Sequence, residues 1–336
     1  MDRQTLYFPP PGLKSLLQRV DTVLSTSRTQ VPLAEFPESP TCVPSLPQFW
    51  SVYVPCEAQY LNTVQLLLEQ IDVVKRLISA SPGDTTLVHS SADIAYVLTF
   101  PSQCHFSVTD NDLCCLHRAE CSEPGSHPPN TRGLTPYGKE MIWEMNRVGM
   151  LVDLSHASSK TARDVLSTSR APVIFSHSAT RALCHIDRNL PDDILSSLAL
   201  NGGLVMVSFY TDFISCSETA TIQDVVGHIN QVRTMAGVDH VGIGAGFDGI
   251  NKTPEGLEDV SRYPELFAEL LKDPTWSLQD LKKLAGLNLL RVFRRVEQVR
   301  EELAGEKPSE EIIPIHDIDA RWPCRYKFAS LDDART

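Results

Sequence analysis

Two short stretches, LVDLSHAS at residues 151–158 and PVIFSHSA at 172–179, each run from an apolar segment into Ser-His and a small residue. Neutral imidazole is the commonest metal-ligating side chain. Two imidazoles from adjacent strand ends could hold one zinc ion, with oxygen donors completing its shell. A single histidine at a strand end is more often a hydrogen-bonded structural group. It is the identical placement of His156 and His177 on successive strands that points to a ligand pair. None of the remaining histidines shares that placement. Arg188 follows in a loop and could clamp a carboxylate through two N–H groups, or simply be solvated. Asp248, beyond the next-but-one strand, faces the same end. Cys184 and Cys216 leave successive strands there, and either a disulfide or two buried thiols fits. Cys114, Cys115, His117 and Cys121 match no standard zinc spacing.

The elements that must position these side chains become regular after residue 133. Thr135-Pro136 opens a helix with proline in its first turn, and Gly149 ends it. MLVDL is an expected strand, Ser158 to Ser167 a helix, and APVIF a strand. A helix begun by Pro191 ends at Asn201-Gly202, and GGLVMVSF is a strand. Residues 222–235 read as helix, HVGIG at 240–244 as strand, and 262–271 and 277–303 as helices. Ser277 and Asp280 form a start resembling a capping box. These are four β–α units whose strands are apolar on both faces, as in a parallel sheet covered by helices. An open doubly wound sheet and a (β/α)8 barrel both satisfy that pattern. In a barrel, chemistry collects at the C-terminal strand ends.

The region before residue 133 is different. Prolines crowd FPPPG at 8–12 and VPLAEFPESPTCVPSLP at 31–47, where neither helix nor central strand can form. One amphipathic helix, residues 57–78, carries Leu61, Val64, Leu67, Leu68, Ile71, Val74 and Ile78 on its apolar face. Residues 100–132 show no period.

Bulk properties narrow the function classes. The chain has 336 residues, is 42% hydrophobic, and carries a formal net charge of −12, which argues against nucleic acid as a partner. No apolar run reaches a membrane span. The N-terminus shows no secretory signal pattern and the C-terminus no lipid-anchor tail, so the chain as written is expected in the cytosol. Nine cysteines leave at least one unpaired, and Asn251-Lys252-Thr253 is a glycosylation sequon.

The segments GLTPYGKEMIWEMNRVGMLVDLSHAS, RAPVIFSHSATRALC, RNLPDDIL and NGGLVMVSFYTDFISCS resemble the membrane (renal) dipeptidase family, zinc metallopeptidases of M19 type. GLEDVSRYPELFAELL, NLLRVFRRVEQV and, upstream, PQFWSVYVPCEAQ and LLLEQIDVVKRL are similar too. The resemblance spans Gly133 to about Leu303, and Gln48 to Leu77. It implies a (β/α)8 barrel of metallo-dependent hydrolase type and cleavage of dipeptides, including cysteinyl-glycine bonds as in leukotriene D4. Two zinc ions with a bridging water perform that cleavage. It implies that His156 and His177 are ligands of the second zinc, and that Arg188 binds the substrate's terminal carboxylate. A Cys184–Cys216 disulfide, an oxidising compartment and a glycolipid anchor at the cell surface are implied as well. In a cytosolic chain those two thiols would instead stay reduced.

Several family features have no counterpart. No His-x-Asp occurs in residues 1–60, and residues 100–132 contain no Glu-Gly-Gly-His. Cys56 lacks its usual partner. GAGFDG puts Gly246 where the family carries its proton-transfer Asp, and Asp248 matches only the second carboxylate. Of five implied metal ligands, His156 and His177 remain. The expectation is therefore at most one weakly held zinc, little or no turnover, and an incomplete barrel with a poorly ordered N-terminal third. The expected organisation is a proline-rich segment at 1–47 and a partial match at 48–99. An irregular segment at 100–132 replaces the bridging-glutamate region. The C-terminal half-barrel occupies 133–303, and a tail 304–336. Alternatives are a catalytically silent binding protein, as a homodimer or paired with an intact dipeptidase, or an aberrant isoform.

Overall fold

A computed structural model describes residues 48–50, 62–80, 85–87, 89–92, 104–108 and 133–312. The expected segments 1–47, 100–103 and 109–132, the cysteine cluster at 114–121, and Cys56 lie outside the described residues. In chain order the elements are β1 (Gln48–Trp50), α1 (Thr63–Ala80), β2 (Thr85–Leu87) and β3 (Cys104–Val108). After them come α2 (Pro136–Val148), α3 (Ser159–Thr168), β4 (Ile174–Ser178) and α4 (Asp192–Asn201). The series continues with β5 (Leu204–Ser208), α5 (Thr211–Ile214), α6 (Ile222–Ala236) and β6 (Val241–Ala245). It closes with α7 (Tyr263–Leu270), α8 (Leu278–Lys282) and α9 (Asn288–Glu302). Among the described residues the strands form two parallel three-stranded sheets, ordered β1–β3–β2 and β4–β5–β6.

Local chemistry sets the helix ends. Thr135 caps α2, its hydroxyl accepting from the Gly138 N–H at 3.0 Å, and Gly149 closes the helix at φ +77°. Ser158 caps α3 by accepting from the Thr161 N–H. Thr221 with Asp224, and Ser277 with Asp280, form reciprocal capping boxes on α6 and α8.

Two sequence expectations change. MLVDL forms no full strand: it contributes a single parallel bridge, Asp153 to Ile174. The Leu154 N–H donates to Ile174 O, the Ile174 N–H to Val152 O, and the chain then turns away at Ser155. The reason lies in Asp153, whose side chain binds the backbone N–H groups of Ser155 and Ser176 and so competes with ladder pairing. The helix expected over 277–303 is two helices, α8 and α9, joined by a wide turn at Lys283–Leu287 where Gly286 leaves helical geometry.

Both faces of the β4–β5–β6 sheet are buried. Phe175, Val205, Val207 and Val241 pack with Ile194, Leu195, Leu198, Val225 and Ile229 of α4 and α6. Ile174 and Leu204 point the other way, onto Leu290, Phe293 and Val296 of α9. Each large side chain fully removed from water contributes roughly 1.5–3 kcal/mol. At Gly244 a β-carbon would collide with the Ser176 carbonyl of β4, two strands away. The sheet therefore curls enough to bring non-adjacent strands together, as a barrel wall does. The segment at 89–92 docks through Ser91, whose N–H and hydroxyl both bind the Glu297 carboxylate of α9.

Beyond β4, His228 of α6 is buried and neutral. Its Nδ1 accepts from the Thr180 N–H at 3.0 Å, so Nε2 carries the proton and donates to Ile214 O at 2.7 Å. Burial pushes its affinity for a second proton below the ordinary imidazole value. On unfolding, the ring regains that value and takes up a proton near pH 6.5. Its contribution is thus complete above about pH 6.5 and is lost as pH falls below it, by up to about 1.4 kcal/mol per pH unit. Urea unfolding between pH 7.5 and 5 is expected to show this acid-side slope. His228→Gln, less stable throughout, should flatten it; equal slopes in both proteins would exclude His228 as the source.

Candidate functional site

The ladder irregularities fall at the C-terminal strand ends. Between β4 and β5 the register shifts between Phe175 and Ser178, and between β5 and β6 it shifts between Val207 and Ser208. Such bulges re-aim side chains, and the first one carries Ser176 and His177. On the preceding segment, the turn after the Asp153 bridge carries Ser155 and His156.

The two rings meet. His156 Nε2 and His177 Nε2 lie 2.8 Å apart, with ring centroids 4.8 Å apart and planes tilted by 56°. His156 stands exposed at the rim and His177 is partly buried beneath it. Crowding by protein atoms, which strips solvation from both rings although part of His156 still meets the rim, comes first, and the nearby Arg188 cation second, in holding both imidazoles well below the ordinary histidine range. Both are therefore neutral at physiological pH, the state a metal requires.

Beneath them, Asp153 Oδ1 accepts from the N–H of Ser155 at 3.0 Å, the hydroxyl of Ser155 at 2.9 Å and the N–H of Ser176 at 3.0 Å. Its Oδ2 accepts from the Ser176 hydroxyl. The Ser155 hydroxyl oxygen accepts in turn from the His177 N–H at 3.0 Å.

Arg188 reaches the site from the loop after β4. Its Nη1 donates to Ser155 O, and its guanidinium lies 5.0 Å over the Phe213 ring. The neighbouring Asn189, only 1% exposed, donates through Nδ2 to Cys184 O and Phe213 O at 2.9 and 2.7 Å. Cys184 and Cys216 form a disulfide with their α-carbons 5.4 Å apart. The thiol alternative, and the reduced pair expected of a cytosolic chain, are thereby replaced. Asp248 falls in the short turn Phe247–Gly249 after β6, and Asn251 is exposed just beyond. Gly246 has a φ of +100°, a backbone state in which any side chain would be strained.

Two ligands of one tetrahedral zinc stand roughly 3.4 Å apart at metal–nitrogen distances of about 2.1 Å. The histidine pair, 2.8 Å apart, fits two corners of such a shell after opening by about 0.6 Å. A two-metal centre finds no fit among the described residues, where no group of three or more His, Cys, Asp or Glu side chains could hold an ion. Sequence reasoning on motifs missed Asp153, Ser155 and Ser176. Their signal was the repeated serine before each histidine and an aspartate two residues ahead of the first.

A family model described as membrane dipeptidase (peptidase family M19) matches residues 45–100 and 106–307. Dipeptidase 3 of Rattus norvegicus is 40% identical over 291 residues, and Dipeptidase 3 of Homo sapiens 39%. The match covers 80% of this chain and 59% of each relative's length. Among solved structures, the probable dipeptidase PvdM from Pseudomonas aeruginosa is 19% identical with a TM-score of 0.66. That alignment covers 74% of this chain and 82% of PvdM. A metallo peptidase from Rhodobacter sphaeroides, liganded with a phosphinate mimic of L-Ala-D-Ala, is 21% identical with a TM-score of 0.65 over 74% and 86% of the two chains. These likenesses support the expected barrel of metallo-dependent hydrolase type.

The disulfide closes a loop with a sequence separation of 32 that carries Arg188, Asn189 and all of α4 and β5. By loop-closure entropy it contributes about 3–4 kcal/mol. Cys184→Ala with Cys216→Ala should lower the urea midpoint by that equivalent; an unchanged midpoint would show the loop is held without it.

Proposed function

The chain belongs to the membrane dipeptidase family, peptidase family M19, and on that premise we propose that His156, His177 and Arg188 form one side of a dipeptide-recognising metal site. The observation that carries this reading is the convergence of two neutral imidazoles, Nε2 to Nε2 at 2.8 Å, at the ends of neighbouring strand segments. A zinc ion held by them would supply Lewis-acid polarisation of a peptide carbonyl. Arg188 takes the terminal carboxylate of the dipeptide; its planar fork suits that group, and Phe213 holds the plane in place.

Turnover is low or absent in this reading. A second metal needs anionic ligands to offset its charge. Residues 1–60 offer no His-x-Asp for it, and Gly246 provides no carboxylate for proton transfer. Losing a general base alone costs about 10²–10⁴ in rate. A dipeptide-binding relative without catalysis, working as a homodimer or beside a complete dipeptidase, is favoured by the same shortfall of ligands among the described residues. The disulfide favours an oxidising compartment, where Asn251, exposed, is a glycan acceptor. Among the described residues no helix is long and apolar enough to cross a membrane.

Purified protein should hold no more than one zinc per chain. Its hydrolysis of cysteinyl-glycine should fall about 10²–10⁴ below that of a relative with the complete ligand set. Two tightly held zinc ions with comparable turnover would overturn the one-sided reading. Calorimetry should detect dipeptide binding that Arg188→Lys weakens about tenfold. A dipeptide amidated at its C-terminus should bind both proteins equally poorly; if it binds as well as the free acid, Arg188 is not the carboxylate receptor.

A further inference from the structure

Why a serine precedes each histidine is answered by the donors around Asp153. Its carboxylate receives four hydrogen bonds, two from backbone N–H groups and two from hydroxyls, divided evenly between Ser155 and Ser176. All four groups point their hydrogens at it, so the carboxylate acts purely as acceptor. The Ser176 hydroxyl hydrogen is thereby committed to Asp153. Yet the same Ser176 oxygen lies 2.7 Å from His177 Nδ1. With its hydrogen spent, that oxygen can only accept, and the proton between the two belongs to Nδ1.

We infer that Asp153 is a positioning residue of this site: through Ser176 it keeps His177 protonated at Nδ1 and so directs the Nε2 lone pair toward His156. The chain of donation runs from Nδ1–H to the Ser176 oxygen, and from the Ser176 hydroxyl to Oδ2. His177 Nε2 is then an acceptor, and the 2.8 Å contact requires His156 to donate from its own Nε2. The two rings thus hold their Nε2 atoms together, and His156 would have to shift its proton to Nδ1 before it could ligate an ion beside His177. Metal-ligating histidines are commonly oriented this way by a carboxylate on the opposite ring nitrogen. Here a hydroxyl is interposed between the two. Ser155 has a different part: its hydroxyl links Asp153 to the His177 backbone N–H, fixing the turn and not the tautomer. That the Nε2 lone pair serves a metal rests on the reading proposed above; the tautomer does not.

The test reads imidazole nitrogens directly, by long-range proton–nitrogen correlation spectra of the metal-free, nitrogen-15-labelled full chain. Wild-type His177 should carry its proton on Nδ1. In Asp153→Asn the side-chain amide would donate to the Ser176 oxygen and turn the serine hydroxyl toward Nδ1. The His177 proton should move to Nε2. Ser176→Ala removes the relay and should yield a mixture of tautomers, and it carries the test if the aspartate variant does not fold. Ser155→Ala should leave the tautomer unchanged. Zinc affinity, titrated calorimetrically, should fall about 10–100-fold in Asp153→Asn and Ser176→Ala. Persistence of Nδ1–H in both of those variants would overturn the inference. So would a shift in Ser155→Ala as large as in Ser176→Ala, because general loosening would then explain all three. Tautomers that respond as stated in a chain taking up no zinc would uphold the relay and remove the metal reading alone.

Discussion

One partly buried carboxylate ties together two turns that belong to different strand segments. Asp153 sits where the chain pairs with β4 by a single bridge, and it binds Ser155 on its own segment and Ser176 on the next. A carboxylate withdrawn from water is costly unless its lone pairs are satisfied, and four donors satisfy it here. Without that hub the turns would be left to the Arg188 contact on Ser155 O, the Ser155 hydroxyl on the His177 N–H, and backbone pairing that ends with the Leu154 N–H on Ile174 O. The histidines, one residue beyond each serine, would lose their common reference point.

The β4–β5–β6 sheet and its helices supply rigidity around that hub. The β4–β5–β6 sheet is buried on both faces, by α4 and α6 on one side and α9 on the other. Its strand ends consequently move little relative to one another, because close-packed interiors resist small displacements. On the rim, three separate constraints converge on the loop after β4. These are the disulfide from Cys184 to Cys216, the Asn189 amide on two carbonyls, and His228 gripping the Thr180 N–H. Arg188 lies between them and stacks on Phe213. Its guanidinium stands near enough to the imidazoles to disfavour their cations, so the site combines neutral ligands with a fixed positive charge.

Much of this was legible in the chain. Helix ends followed from Thr135, Gly149, Pro191 and Ser277, since caps are chosen by neighbours three or four residues away. Strand positions at β4, β5 and β6 were correct to within a few residues, because runs apolar on both faces have few other uses in a globular chain. The family resemblance of residues 133–303 brought His156, His177 and Arg188 to attention. What failed depended on distant partners. MLVDL carries every local mark of a strand, yet Asp153 diverts the backbone donors that a strand would pair. The helix over 277–303 looks continuous until Gly286 leaves helical geometry, in a wide turn that lies against β6. Asp153 itself resembled an ordinary polar residue in a strand, since its donors come from both sides of a twenty-residue gap.

By itself the sequence determined which elements form, that their sheet is parallel and covered, and that a histidine follows serine at two strand ends. These are properties of local spacing and apolar pattern, and short-range sterics and burial enforce them. Only the tertiary structure decided that the two rings meet at 2.8 Å, that one carboxylate serves both serines, and that Cys184 bonds to Cys216. Those contacts depend on register between segments and on a bulge within β4. A one-residue change of register would turn the side chains to the opposite face, and no local pattern specifies that choice.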